Sequence, residues 1–171
     1  MPQFKHAIII GGTGMLEIAT RAVARNCARV TLVARAPEKL AQDIGAQGLP
    51  MDWRDKASIT NAINVLRSGD APDLVVSWIH DSGISCLPDV EKLLVTGSRS
   101  IRVHGSSAGD PRNGIASDPA APSGIMRQNV VLGWVSQNGV LRWLRDDEIS
   151  GGVIEAFLNP EKTSFIVGRV A

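Results

Sequence analysis

The stretch Ile8-Ile9-Ile10-Gly11-Gly12-Thr13-Gly14-Met15-Leu16 constrains the fold more than any other part of the chain. An apolar run of strand character enters a glycine turn, and Met15, Ile18, Ala19, Ala22 and Val23 then recur at helical spacing. A strand, a glycine turn and a helix in that order leave backbone N–H groups bare at a helix N-terminus, where they and the helix dipole suit a pyrophosphate. Gly11, Gly12 and Gly14 allow close backbone approach, Thr13 can donate its hydroxyl to a phosphate or cap the helix, and Met15 and Leu16 complete the turn. A glycine cluster alone is a weak signal, and a simple tight turn is the alternative. Its place after a strand and before a helix gives it weight.

The alternation of strand and helix signals continues downstream. Residues 6–10, 30–34, 48–52, 74–79 and 100–104 read as strands. Pro37 suits the first turn of a short helix. Ile59, Ala62, Ile63 and Leu66 form a helical face closed by Gly69, and Leu87, Val90, Leu93 and Leu94 form another closed by Gly97. Strands joined by helices of this length favour a parallel sheet covered on both faces. Residues 108–124, rich in Gly, Pro, Ser, Asp and Ala, read as a long loop. Asn138-Gly139 lies between the strand-like runs 130–135 and 140–144, a hairpin signal, so the sheet is expected to finish in an antiparallel ribbon. A last helix is expected from Asp146 or Asp147, whose acidic side chains suit a helix N-terminus, and a last strand over 165–167. The fold class expected is α/β: a Rossmann-like doubly wound parallel sheet with a C-terminal β-hairpin, helix and strand, forming one domain over residues 1–171.

Composition narrows the partners. Lys and Arg number 18 against 17 Asp and Glu, and a net charge of +1 leaves no footprint for nucleic acid. Cys27 and Cys86 match no metal or redox spacing, so no metal site is expected and a reducing compartment is favoured. Lys5 before an apolar run has a faint look of a secretory leader, but the glycines interrupt the run and Glu17 and Arg21 follow it. No run reaches the roughly 18 apolar residues of a membrane span. A cytoplasmic protein with a small-molecule substrate, no nucleic acid and no membrane is the expectation.

Several side chains are placed to carry chemistry. Arg35 ends the second strand, where an acidic residue would hold a ribose 2′-OH and an arginine can pair with a 2′-phosphate. That favours NADP(H) and leaves NAD(H) open; Lys39, one helical turn on, can assist. Asp52, followed by Trp53, can accept from an adenine amino group or cap the next helix. His80 and His104 fall at or near the C-terminal ends of adjacent strands, where ligands bind in such sheets, and an imidazole can donate a proton. His80 is the better candidate, because Asp81 and Ser82 continue it into a polar turn. Arg127 can bind an anionic group on a substrate, and His6, at the opposite end of the sheet, is given no role. Trp78 can wall a pocket, and Trp134 and Trp143 can pair across the ribbon, with a core or dimer contact the preferred reading.

Over roughly residues 6–107 this order of motifs resembles the short-chain dehydrogenase/reductase superfamily. Gly11-Gly12-Thr13-Gly14 resembles its nucleotide turn, Arg35 its NADP-selecting position and Asp52 its adenine contact. Ser77-Trp78-Ile79-His80 stands where that family lines the nicotinamide ribose, and Val103-His104-Gly105-Ser106-Ser107 resembles its fifth strand, which implies Ser106 or Ser107 as the active-site serine. Two departures stand out. Glu17 occupies the place of a common third glycine, which implies looser helix–strand packing. The chain has no tyrosine, so the family's Tyr-x-x-x-Lys pair is missing, and the resemblance is to an atypical, truncated member.

What the resemblance implies is an NADPH-dependent reductase that transfers hydride to a carbonyl or activated C=C of a small substrate. Ser106, Ser107, His80 or water would serve the developing oxyanion. A conjugated enoyl or quinone-like acceptor suits a site without tyrosine. A non-catalytic NADP(H)-binding sensor is the alternative. An epimerase or lyase with retained cofactor is disfavoured by the short C-terminal part. The ribbon and last helix offer apolar surface for a homodimer or homotetramer.

Overall fold

The computed structural model describes residues 1–80, 83–105 and 110–170. Chain order is β1 (Phe4–Ile10), α1 (Glu17–Ala24), β2 (Cys27–Ala34), α2 (Glu38–Ile44), β3 (Gln47–Pro50), α3 (Lys56–Ser68) and β4 (Leu74–Ser77). Then come α4 (Leu87–Glu91), β5 (Arg99–His104), α5 (Arg112–Ser117), β6 (Met126–Leu132), β7 (Trp134–Gln137), β8 (Val140–Trp143), α6 (Asp146–Leu158) and β9 (Ser164–Val167). Among the described residues, seven strands form one sheet in the order β3-β2-β1-β4-β5-β6-β9, every pair parallel. β7 and β8 make a separate antiparallel ribbon. The fold is the expected α/β class, a doubly wound parallel sheet with a C-terminal hairpin, helix and strand.

The central strand explains the layers. β1 is apolar at consecutive positions, as a strand covered on both faces must be. Ala7 and Ile9 join one core with Leu32, Val76 and Val130, under α1, α2 and α6. Ile8 and Ile10 join a second core with Val33 and Val75, under α3 and α4. The strand order reverses between β1 and β4, so the crevice for a ligand opens beyond their C-terminal ends.

The last third departs from the sequence reading. The run 130–135 is not one ribbon strand. Its first part belongs to β6, which continues the parallel sheet, and the chain leaves the sheet at Gly133. A Cβ there would lie 1.9 Å from the Arg169 carbonyl oxygen, so only glycine admits that strap against the strand. The sheet therefore ends on β9, not on the ribbon, and the stretch read as a loop contains α5. The hairpin turn itself is as expected, with Asn138 and Gly139 at φ +52° and +78°, the left-handed pair of a type I′ turn. Among the described residues no helix is long and apolar enough to cross a membrane.

Charged groups lie inside the back face of the sheet. Glu91 accepts from Arg102 Nε at 2.9 Å, Arg127 Nε at 3.0 Å and the Ser100 hydroxyl at 2.7 Å. Arg102 also reaches Asp118 at 2.8 Å. Burial pushes the Glu91 carboxyl up, but the Arg127 and Ser100 hydrogen bonds and the Arg102 charge outweigh it and hold the group below its ordinary value. Arg127 is thus committed to Glu91 and to the Pro119 carbonyl, and is not the free anion receptor expected from sequence.

Candidate functional site

The three glycines of the first turn do three different things. Gly11, at φ +73°, passes so near β4 that a Cβ would meet the Trp78 carbonyl oxygen at 2.0 Å. Gly12 lets α1 close on the sheet, since a Cβ there would meet Thr20 Oγ1 at 2.4 Å and Ile9 Cγ2 at 2.7 Å. The Thr20 hydroxyl donates to the Gly12 carbonyl at 2.9 Å and pins that approach. The looser packing expected from Glu17 is therefore not found: Gly12 supplies the close contact, and Glu17 pairs outward with Arg21 at 2.9 Å. Gly14 faces open space, with nothing within 4 Å of a Cβ.

α1 begins at Glu17, later than the spacing suggested, and its N-cap is Leu16, which offers no side-chain cap. Thr13 is therefore not the cap; the Glu17 amide donates to the Gly14 carbonyl at 2.9 Å, and the amides of Ile18 and Ala19 keep donors for an incoming acceptor. The Ser150 hydroxyl of α6 donates to the Met15 carbonyl at 2.9 Å, so the turn is held from the C-terminal part of the chain as well.

A cleft of about 460 Å³ opens over this turn. It is lined by Gly11, Thr13, Gly14 and Met15 of the turn, by Arg35 and Ala36 after β2, and by Trp53, Trp78 and His80. The Arg35 guanidinium lies over the Trp53 ring, 5.6 Å from its centroid, and forms no ion pair among the described residues. The exposed His80 ring stands 6.0 Å from Trp53 and 5.3 Å, edge-on, from Trp78. A second cleft of about 260 Å³ adjoins the first and shares Met15, Trp78 and His80 with it. Gly105 and Leu132-Gly133 extend it from the ends of β5 and β6, and Trp143, Leu144 and Ile149 close it from the ribbon and α6. Gly105 is required there, since a Cβ would lie 2.7 Å from the Trp78 ring.

The structure thus brings together Gly11, Thr13, Gly14, Met15, Arg35, Trp53, Trp78 and His80. Other expected residues sit elsewhere. Gly12 and Leu16 are buried behind the turn, and Lys39 is exposed on α2 outside the lining. Ser77 and Ile79 are buried beside the second core rather than facing the cleft. Both carboxylate oxygens of Asp52 accept from Arg54, at 3.0 and 2.8 Å, and that pairing brings its pKa to about 2. The cap of α3 is Asp55, which accepts from the Ala57 amide at 2.9 Å, so Asp52 does not have the capping role considered for it. His104 is held by Asn129 at 2.9 Å and its pKa is lowered by burial; it does not line the clefts. His6 is clamped between the Asp70 carbonyl and Thr31, at 2.9 Å each, and is structural. Ser106 and Ser107, like Asp81 and Ser82, lie outside the described residues.

Sequence reasoning missed Ala36 and the whole ribbon side of the second cleft. The pairing of Trp134 with Trp143 was legible, and their ring centroids lie 5.1 Å apart. That Trp143 also faces a cleft depends on where α6 and β6 meet, which no local spacing reveals.

No family model and no curated protein matches the sequence. Solved structures match the fold. A short-chain dehydrogenase/reductase from Serratia marcescens is 16% identical with a TM-score of 0.67 over 98% of each chain. An NADH-dependent reductase solved with NAD is 15% identical with a TM-score of 0.65, over 96% of this chain and 95% of its own. A ribose-5-phosphate isomerase from Brucella melitensis is 14% identical with a TM-score of 0.72, over 97% of this chain and 91% of its own. Those names span two reaction types, so what they share with this chain is the Rossmann-like fold.

Proposed function

We propose that the protein is an NADPH-dependent reductase of the short-chain dehydrogenase/reductase type, acting on a carbonyl or activated C=C of a small substrate. One observation carries the reading. A cleft over an open glycine turn and a helix start without a side-chain cap adjoins a second, more apolar cleft, and Met15, Trp78 and His80 are the shared wall. A dinucleotide needs those two environments side by side: amides for its diphosphate and a dry wall for its redox ring.

The residues present fit such a group. The open face at Gly14 and the uncapped amides after it would take the diphosphate. Arg35, resting on Trp53 without an ion-pair partner among the described residues, would take a 2′-phosphate, which favours NADP(H) over NAD(H). When bound, a reduced nicotinamide supplies a hydride. This chain's part is to orient that ring against Trp78 and Met15, to exclude water with the ribbon side of the second cleft, and to hold a proton at His80. The resemblance to the Serratia enzyme and to the NAD-bound reductase supports the reading at the level of fold.

A sensor without turnover is the second reading, favoured by the absence of any tyrosine from the chain. The two separate in one assay. Purified protein is mixed with NADPH and a panel of aldehydes, quinones and enones, and loss of the reduced-nicotinamide absorbance is followed. Oxidation coupled to any acceptor is expected; saturable NADPH binding with none would establish the sensor instead.

A further inference from the structure

α1 begins later than its own residues require. Met15 and Leu16 are both good helix formers, and a helix capped at Met15 would give the Met15 carbonyl to the Ala19 amide. Instead Leu16 is the N-cap, and its carbonyl accepts the first helical hydrogen bond, from the Thr20 amide at 2.7 Å. The two carbonyls before it are engaged elsewhere. That of Gly14 accepts from the Glu17 amide at 2.9 Å, a tighter turn than the helix makes. That of Met15 accepts from the Ser150 hydroxyl at 2.9 Å. The amides of Ile18 and Ala19 are therefore left with no backbone acceptor among the described residues.

Ser150 acts from the far end of the chain, 135 residues away. A serine inside a helix can return its hydroxyl to the carbonyl four residues back; this one reaches across to the first turn. It is fully buried, and α6 gives it little freedom to follow the turn. The Glu148 carboxylate accepts from the Arg145 amide at 2.8 Å and, through both oxygens, from Arg142 at 2.9 Å each, which fixes the start of α6. Gly152 brings the helix close against β9, where a Cβ would lie 2.1 Å from Val167 Cγ2. The hydroxyl is thus a fixed donor, and the Met15 carbonyl turns to it rather than into α1.

What this arrangement withholds from the helix it offers to a ligand. First-turn amides point out of the helix start. The cleft there is lined by Gly14 and Met15, with open space at Gly14. A hydrogen bond from an amide to an anionic oxygen is roughly twice as strong as one to a neutral carbonyl. An Ala19 amide not already used by Met15 can therefore give that stronger bond without first unwinding a turn of helix.

We propose that Ser150 is a positioning residue for the nucleotide: it holds the Met15 carbonyl out of the α1 ladder and so keeps the Ala19 amide for a diphosphate oxygen. The proposal rests on the dinucleotide reading above, and Ser150 itself lines neither cleft.

Two measurements on wild type and Ser150→Ala test it. The first uses nucleotide-free protein. Hydrogen exchange of the Ile18, Ala19 and Thr20 amides is followed by NMR, together with the scalar coupling across any Ala19–Met15 hydrogen bond. In wild type that coupling should be absent. In Ser150→Ala it should appear, and Ala19 exchange should slow about tenfold while Thr20 stays as it is. The second is calorimetry with NADPH, NADH and 2′-AMP, which carries the 2′-phosphate and no diphosphate. NADPH and NADH should each bind about tenfold more weakly to the variant, the loss of one charge-assisted hydrogen bond, and 2′-AMP should bind as it does to wild type. A coupling already present in wild type would overturn the proposal, whatever the variant does. So would unchanged Ala19 exchange or unchanged NADPH affinity in the variant. Weakening of 2′-AMP in step with the dinucleotides would overturn it too, because the cleft as a whole would then be disturbed. If wild type binds neither dinucleotide, the reductase reading fails. A slowed Ala19 amide would then still uphold Ser150 as the residue that sets the start of α1, and an unchanged one would overturn that as well.

Discussion

Replacing Arg35 by Ala should change which nicotinamide nucleotide the protein prefers. The guanidinium lines the cleft over the first turn, forms no ion pair among the described residues, and lies over the Trp53 ring at 5.6 Å from its centroid. Two contributions are lost. A charge-assisted hydrogen bond to a 2′-phosphate contributes about 1.5–3 kcal/mol, and Arg35 is exposed, so about 1.5 kcal/mol is the working figure. The contact with Trp53 contributes about 0.5–1 kcal/mol at an exposed site, and its loss acts on any nucleotide that depends on that wall. NADPH should thus bind about thirty- to seventyfold more weakly, and NADH about two- to fivefold more weakly. The ratio of the two affinities, which falls about tenfold, isolates the phosphate term. Calorimetric titration of both nucleotides into wild type and variant measures it. Equal losses for NADPH and NADH would refute the assignment of Arg35 to a phosphate.

Other substitutions probe the remaining elements. Gly14→Val should cut nucleotide affinity at least tenfold while the thermal midpoint stays within a few degrees of wild type, because its side chain would enter open cleft and not protein. His80→Gln should lower kcat about a hundredfold, as expected when a proton donor is removed, and leave NADPH affinity as it was. Glu91→Gln should cost about 3 kcal/mol in urea unfolding, because it strips the carboxylate from the buried Arg102 guanidinium and the part-buried Arg127 guanidinium. The pH dependence has a definite sign. The folded Glu91 carboxyl lies below its ordinary value, so its contribution is complete above the unfolded value of about 4.3 and is lost as pH falls through the lower folded value. Stability of the Glu91→Gln variant should therefore decline less between pH 5 and pH 3 (about the carboxylate range) than that of wild type.

The parts of the molecule legible in sequence are those set by neighbours in the chain. Ile8, Ile9 and Ile10 declare a strand buried on both faces, and Asn138-Gly139 declares its own turn. The glycine cluster announced a close approach, but the separate tasks of Gly11 and Gly12 are set by Trp78 and Thr20, which only the fold brings to them. The same holds for Arg127. As a free arginine it suited an anion, and what claims it is Glu91 on another element, 36 residues away. The split at Gly133 is decided by the Arg169 carbonyl, far along the chain, so local apolar character merged β6 with the ribbon. Asp52 reads as a possible cap of the next helix, and the sequence reading passes over Asp55, which takes that place by accepting from the Ala57 amide.

The central claim is that the first turn and the cleft above it hold a nicotinamide dinucleotide by its diphosphate. Titrating wild-type protein with NADPH, alongside the Gly14→Val variant, tests this most directly. Saturable one-site binding by wild type, tighter than that of NADH and strongly weakened in the variant, is expected. Absence of binding of either nucleotide, or undiminished affinity in Gly14→Val, would contradict it.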